Sequence, residues 1–139
     1  MLKLLAAAYG GLLLAAGILA LTRRLRWLVM AVLIVAVGWF LTIGLTVPLH
    51  FWNGPQWGIF TADLLVLIAF AVLTARYRTP WLFTVTGLQL ATVTLHIAYA
   101  LAPSLSGFAY AGAQQILGWA VLWTLLVAGA FAKLSPTRN

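Results

Sequence analysis

Five long apolar stretches, separated by short polar or Pro/Gly-containing breaks, make up almost the whole chain. They cover residues 4–22, 27–47, 57–75, 81–101 and 108–132. Each stretch is long enough for a helix to cross the roughly 30 Å of hydrocarbon in a bilayer. Because the breaks are short, consecutive helices must lie antiparallel and side by side. The pattern predicts an all-α fold in which residues 1–139 form one integral membrane domain of five transmembrane helices.

Composition agrees with this prediction and narrows the classes of function. The chain is 65% hydrophobic and 6% charged, which is far too apolar for a soluble domain of 139 residues. A soluble nucleic-acid-binding protein is therefore excluded despite the net charge of +7. The chain contains no cysteine, so disulfides, thiolate metal sites and covalent haem attachment are excluded as well.

The basic residues predict an orientation. Seven of the eight lie at one side of the membrane if the chain crosses it five times, and by the positive-inside rule that side is cytoplasmic. We therefore expect the N-terminus outside and the C-terminus in the cytoplasm. A cleaved signal peptide over residues 1–22 is the alternative, but its apolar run is long enough to span and no small-x-small cleavage site precedes Arg23. The seven residues are Arg23, Arg24, Arg26, Arg76, Arg78, Lys133 and Arg138, and Lys3 is the exception.

One acidic residue, Asp63, interrupts the third apolar stretch. It lies six residues beyond Trp57, which places it about 9 Å below the outer end of the helix at roughly 1.5 Å per residue. An ionisable side chain at such a depth is costly, so it marks a functional-site hypothesis and requires a polar partner.

Polar residues on the neighbouring helices fall at a similar depth. In the fourth stretch Thr86, Gln89, Thr92, His96 and Tyr99 share one helix face, which we expect to point away from lipid. An Asp63–His96 ion pair and a neutral hydrogen-bonded pair both fit the sequence. The predicted polar cluster contains Asp63, His96, Tyr99, Tyr110, Gln114 and Gln115, with His50 near it in the second break.

Three roles remain open for this cluster. Buried polar residues often only hold membrane helices together, the cluster is alternatively a ligand or cofactor site, or it handles protons or ions. A pump or channel is disfavoured because the third stretch below Asp63 is apolar as far as Thr74. No catalytic constellation or metal site is predicted. No cofactor is required, although haem on His50 and His96, or a quinone beside His96, Tyr99, Tyr110 and Trp119, fits the residue types.

Several of these residues also carry a resemblance to a known group of proteins. The chain resembles small uncharacterised polytopic membrane proteins of alphaproteobacteria, in which the Thr-His pair adjoins directly, whereas Leu95 separates Thr94 from His96 here. The resemblance implies a bacterial inner (cytoplasmic) membrane and no particular activity. It rests on Asp63, Arg76, Arg78, Trp81, Gln89, Leu90, Thr94, His96 and Tyr110.

Small size and the absence of a complete catalytic site favour a non-enzymatic accessory or structural subunit of a larger membrane complex, of the kind that respiratory or photosynthetic assemblies acquire, although the sequence names no particular complex. Its partners would then be other membrane subunits and lipid. Ala7, Gly11 and Ala15, spaced by four residues, form a small-residue ridge of the kind on which another helix packs. The alternative is a stand-alone binder or carrier of a small apolar ligand, such as a quinone, haem or lipid, at the polar cluster.

Overall fold

The computed structural model contains five long α-helices, all apolar and long enough to span a membrane. It describes residues 2–45, 56–102, 104 and 106–131, and side chains from residue 4 onward. The all-α class and the five candidate transmembrane helices predicted from the sequence are therefore confirmed. The helices are α1 (Leu2–Thr22), α2 (Arg26–Leu45), α3 (Trp57–Tyr77), α4 (Pro80–Leu101) and α5 (Gly107–Phe131).

The connection between α3 and α4 is shorter than the sequence suggested. The predicted break over residues 76–80 shrinks to Arg78 and Thr79, because α3 continues to Tyr77 and α4 begins at Pro80. Arg78 adopts a left-handed conformation (φ 47°) and its N–H donates to the Thr74 carbonyl at 2.8 Å, which ends α3. The Thr79 hydroxyl then accepts from the Leu82 N–H, so Thr79 is the N-cap and the proline occupies the first turn.

A similar tight turn joins α1 to α2. Arg24 has a φ of 52°, and the Leu25 N–H donates back to the Ala20 carbonyl at 3.2 Å. This reversal satisfies carbonyls at the end of α1 and buries the Leu25 side chain. Residues 46, 47 and 132, predicted to be helical, lie outside the described residues.

The helices form a closed ring. Each packs against its neighbours in sequence, α5 returns to pack against α1, and α2 also approaches α5 across the middle. Five arginines lie where α1 and α3 end and where α2 and α4 begin, and we call this half of the bundle the basic half. The other half is called the Asp63 half. The arginines are Arg23, Arg24, Arg26, Arg76 and Arg78.

Apolar side chains fill the basic half of the ring. The largest of the fully buried ones are Phe70, Leu28, Leu82, Leu122, Leu125 and Val85. A polar contact between α3 and α4 is enclosed there, since Thr74 Oγ1 lies 2.7 Å from Thr86 Oγ1 and also donates to the Leu82 carbonyl. The outward faces of the five helices are apolar as well, as a lipid-facing surface requires; they expose Leu14, Phe40, Leu65, Leu90 and Ile116.

Two helices approach closely beside the level of Asp63. A Cβ atom added to Gly38 would lie 2.6 Å from Val66 Cγ2, so only glycine fits this contact of α2 with α3. On α1 the small-residue ridge has the opposite environment. Ala7, Gly11 and Ala15 are exposed, and no described atom lies within 4 Å of a Cβ built on Gly11.

Candidate functional site

Asp63 projects from α3 towards α4, where two side chains contact its carboxyl group. Oδ2 lies 2.8 Å from His96 Nε2, and Oδ1 accepts a hydrogen bond from Gln89 Nε2 at 3.0 Å. The same Gln89 nitrogen donates to the Asp63 backbone carbonyl at 3.2 Å. The carboxyl group is therefore held at both oxygens and keeps 17% of its side chain exposed.

His96 extends this contact to a third helix. Its side chain is 3% exposed, and its Nδ1 lies 2.5 Å from the hydroxyl of Tyr110 on α5. Phe60 and Tyr110 contact the imidazole in T-shaped arrangements, with ring centroids 5.7 and 5.4 Å away. Asp63, His96 and Tyr110 thus form a hydrogen-bonded chain across α3, α4 and α5.

Two proton arrangements satisfy this chain. In one, the Tyr110 hydroxyl donates to Nδ1 of a neutral imidazole whose Nε2–H donates to an ionised Asp63. In the other, one more proton resides on the pair, as an imidazolium beside the carboxylate or as a neutral histidine beside a protonated Asp63. The ion pair and the neutral pair considered from the sequence both remain compatible with these contacts.

The other residues predicted for the polar cluster differ in how they contact this hydrogen-bonded chain. The Tyr99 ring stacks on Tyr110 with centroids 4.3 Å apart, so it supports the cluster through ring contact. The Gln114 side chain interacts with that of Tyr110, but its buried Nε2 lacks a hydrogen-bond acceptor among the described residues. Gln115 lines the cavity beside the cluster and does not belong to the hydrogen-bonded chain of Asp63, His96 and Tyr110. His50 lies outside the described residues.

Sequence reasoning missed the role of Gln89. It was placed on the polar face of α4 but not in the cluster, because it lies seven residues from His96, about 10 Å along the helix axis. The carboxyl group of Asp63 lies between them, and the long amide side chain reaches it from one side while the imidazole reaches it from the other. The shared face of Gln89 and His96 was the available signal.

A cavity of about 640 Å³ opens beside this cluster in the Asp63 half of the bundle. All five helices contribute to it, which follows from their arrangement as a ring. Its polar lining comprises Thr42, Gln56, Asp63, Gln89, Thr92, Gln114 and Gln115. Its aromatic lining comprises Tyr9, Trp39, Phe108 and Tyr110, and its aliphatic walls include Leu5, Val35, Ile43, Ile59, Val66 and Val121.

Aromatic contacts hold one wall of the cavity in place. Tyr9 stacks on Trp39 with centroids 5.6 Å apart and meets the edge of Trp119 at 5.5 Å. These rings join α1 to α2 and to α5. Of these three rings, Tyr9 and Trp39 line the cavity, whereas Trp119, named in the quinone hypothesis, does not.

The donor atoms of the site fit organic ligands better than metals. The part of the chain that the structure describes contains no group of three or more metal-ligating side chains. Haem ligation through His96 would have to break one of its two ring-nitrogen contacts, and His96 does not line the cavity. The hypothesis of a haem on His50 and His96 therefore finds no support at His96.

Comparison with known proteins adds no assignment. No protein-family model matches the chain, and neither curated proteins nor solved structures include a significant match. The resemblance to alphaproteobacterial membrane proteins thus stays a prediction.

Proposed function

We propose that the protein binds a small, largely apolar molecule in the cavity of its Asp63 half. The observation that carries this proposal is the cavity itself, which at about 640 Å³ lies in the size range of ligand sites. It also has the composition of such sites, because its walls are mostly apolar and a few polar groups converge at one side. We propose binding without catalysis.

The polar groups support binding more than a purely structural role. Hydrogen bonds that only hold helices together require neither a cavity beside them nor an unsatisfied donor. The Gln114 amide nitrogen is buried without an acceptor among the described residues, which costs about 1–3 kcal/mol. A ligand with a carbonyl or hydroxyl oxygen at this position would recover that free energy.

Filling the cavity tests the proposal directly. Gly118 lines the cavity, and a Cβ atom there would meet only Tyr9 Cε2 at 3.9 Å, which is ordinary contact. We expect Gly118→Leu to fold and to lose the ligand. Gly87→Leu is the matched control, because Gly87 is an exposed helix position outside the cavity with no described atom within 4 Å of its Cβ.

The readout is native mass spectrometry of the detergent-extracted protein, which detects a retained small molecule, together with its thermal unfolding. The wild type and Gly87→Leu should carry the same non-covalent mass, and Gly118→Leu should lack it. Equal retention by both variants, or an empty wild type that no added small molecule stabilises, would refute ligand binding in the cavity.

A second candidate is a subunit of a larger bacterial inner-membrane complex, and the exposed ridge of Ala7, Gly11 and Ala15 favours it. Small residues allow close approach of a partner helix, and here no other helix of the described chain covers them. We infer that a transmembrane helix of a different subunit packs there.

Gly11→Leu should then release the protein from a stoichiometric complex in mild detergent, whereas Gly87→Leu should not. Purification of the wild type as a lone chain would exclude this role.

We further propose that the N-terminus lies outside, so that the Asp63 half occupies the outer leaflet. The five described arginines of the basic half support this orientation through the positive-inside rule.

A further inference from the structure

The charged side chain that lines the cavity is acidic, and the described basic side chains lie elsewhere. Among the described residues, its lining contains the carboxyl group of Asp63 and no lysine or arginine. The five described arginines lie at the ends of the helices in the basic half. An ionised Asp63 therefore faces the cavity without a cationic side chain on the cavity side.

Asp63 also retains capacity to accept hydrogen bonds. An ionised carboxylate offers about four lone-pair positions, and His96 and Gln89 occupy one on each oxygen. Both of these donors come from α4, while Asp63 itself lines the cavity and keeps 17% of its side chain exposed. A donor or a positive charge within the cavity can thus reach it without displacing either contact.

The aromatic lining suits the same kind of ligand. The faces of Tyr, Trp and Phe rings attract cations, most strongly when the ring is desolvated. Tyr9, Trp39, Phe108 and Tyr110 line the cavity, on three helices other than the one that carries Asp63. A purely accepting ligand such as a quinone could accept from the Gln114 amide nitrogen, but it offers neither a donor nor a positive charge to the carboxylate of Asp63.

We propose that the cavity binds an organic cation, an amine or onium group with an apolar body, whose positive charge lies next to Asp63. This inference rests on the ligand-binding function proposed above and specifies its ligand class. Among the described residues, the ionisable groups around this position are Asp63 on α3, His96 and Tyr99 on α4, Tyr110 on α5 and Tyr9 on α1. The part of α2 that lines the cavity carries no ionisable side chain, and its polar groups there are Trp39 and Thr42.

The test uses two probes of nearly equal shape and size but opposite charge. Tetraphenylphosphonium and tetraphenylborate are titrated into the purified full-length protein in a neutral detergent, and binding is followed by calorimetry. We expect saturable, stoichiometric binding of the phosphonium, and at least about tenfold weaker binding of the borate. Benzyltrimethylammonium and its uncharged isostere neopentylbenzene form a smaller pair for the same comparison.

Two variants connect the binding to the site. Asp63→Asn retains the size of the side chain and should weaken phosphonium binding by about tenfold or more. Gly118→Leu should prevent binding, and Gly87→Leu should not, which separates the cavity from partition into the detergent. Because the charge comparison is made on the wild type, it decides the question even if Asp63→Asn does not fold.

The outcomes separate the two proposals. Binding of the borate or the uncharged isostere as tightly as the cation, with loss in Gly118→Leu, would overturn the cation and leave ligand binding intact. Absence of saturable binding by all probes would overturn the cation, and an empty native mass spectrum in addition would overturn ligand binding as well.

Discussion

Gln89 is the residue that fixes Asp63 most firmly, because one amide nitrogen donates both to its carboxyl group and to its backbone carbonyl. Its side chain is buried, as is that of His96 on the opposite side of the carboxyl group. In hydrocarbon no water replaces a lost donor, so the remaining charge or dipole of Asp63 would be poorly compensated.

We expect Gln89→Leu to lower the free energy of unfolding by about 1–2 kcal/mol, near the upper range measured for hydrogen bonds between membrane helices. The matched control is Gln115→Leu, which makes the same change at an exposed position of the cavity wall. That variant should stay within about 0.5 kcal/mol of the wild type. Unfolding in mixed micelles of dodecyl sulfate and a neutral detergent measures both. Equal stabilities of the two variants would contradict the structural importance of the Gln89 contacts.

Depth along the helices was sufficient to predict that Asp63, His96 and the polar groups of α5 would lie at a common level. Each helix rises by a fixed amount per residue, so position in the span can be counted from the sequence. The reach of a side chain cannot be counted in this way. Gln89 joins Asp63 through its length and rotamer, and Gln114 lies close to Tyr110 yet leaves its amide nitrogen without an acceptor among the described residues.

At the scale of elements, hydropathy located all five helices, since the apolar length required by a bilayer is unambiguous. The residues at which the helices begin and end depend on local backbone conformation and capping contacts. The helix α3 passes through Arg76 to Tyr77 because charged and amphipathic residues continue a helix readily at a membrane boundary, and the left-handed Arg78 ends it. Packing between elements depended on single positions, of which Gly38 is the clearest.

Replacing Gly38 by valine should push α2 away from α3, because the first added atom would already lie 2.6 Å from Val66. Overpacking of this kind costs about 1–3 kcal/mol in free energy of unfolding. Gly44→Val on the same helix is the control, since no described atom lies within 4 Å of a Cβ at Gly44. Both variants replace a glycine by valine in the same helix. The difference between their free energies of unfolding, measured in the same micelle titration, therefore reports the contact of residue 38 with Val66. A stability difference near zero would show that α2 and α3 are not held together at this point.

At the scale of the whole molecule, the short connections predicted antiparallel neighbours but gave no order around the bundle. The return of α5 to α1 and the approach of α2 to α5 depend on side-chain shape on faces that all look equally apolar in sequence. For that reason the cavity could not be foreseen, although several of its polar residues were named.

The orientation of the molecule can be measured with single cysteines, because the wild type contains none and gives no background. Ser104 is exposed in the connection between α4 and α5, and Thr22 is exposed at the end of α1. We expect a membrane-impermeant maleimide to label Ser104→Cys on intact cells and Thr22→Cys only in inverted vesicles, as the positive-inside rule requires. The reverse pattern would place the Asp63 half of the bundle on the cytoplasmic side.

The closed ring of helices constrains the order in which the helices can pack during synthesis. A nascent α3 that enters the bilayer alone carries its carboxyl group at a cost of up to about 2.5–3.5 kcal/mol for a position in mid-span. Only Arg78 and Thr79 separate it from α4, so Gln89 and His96 leave the ribosome directly behind it and can compensate this cost as a helical hairpin. Tyr110 and the last wall of the cavity arrive later, with α5. The contact between α3 and α4 can therefore form early, and the cavity is complete only after α5 has packed against α1.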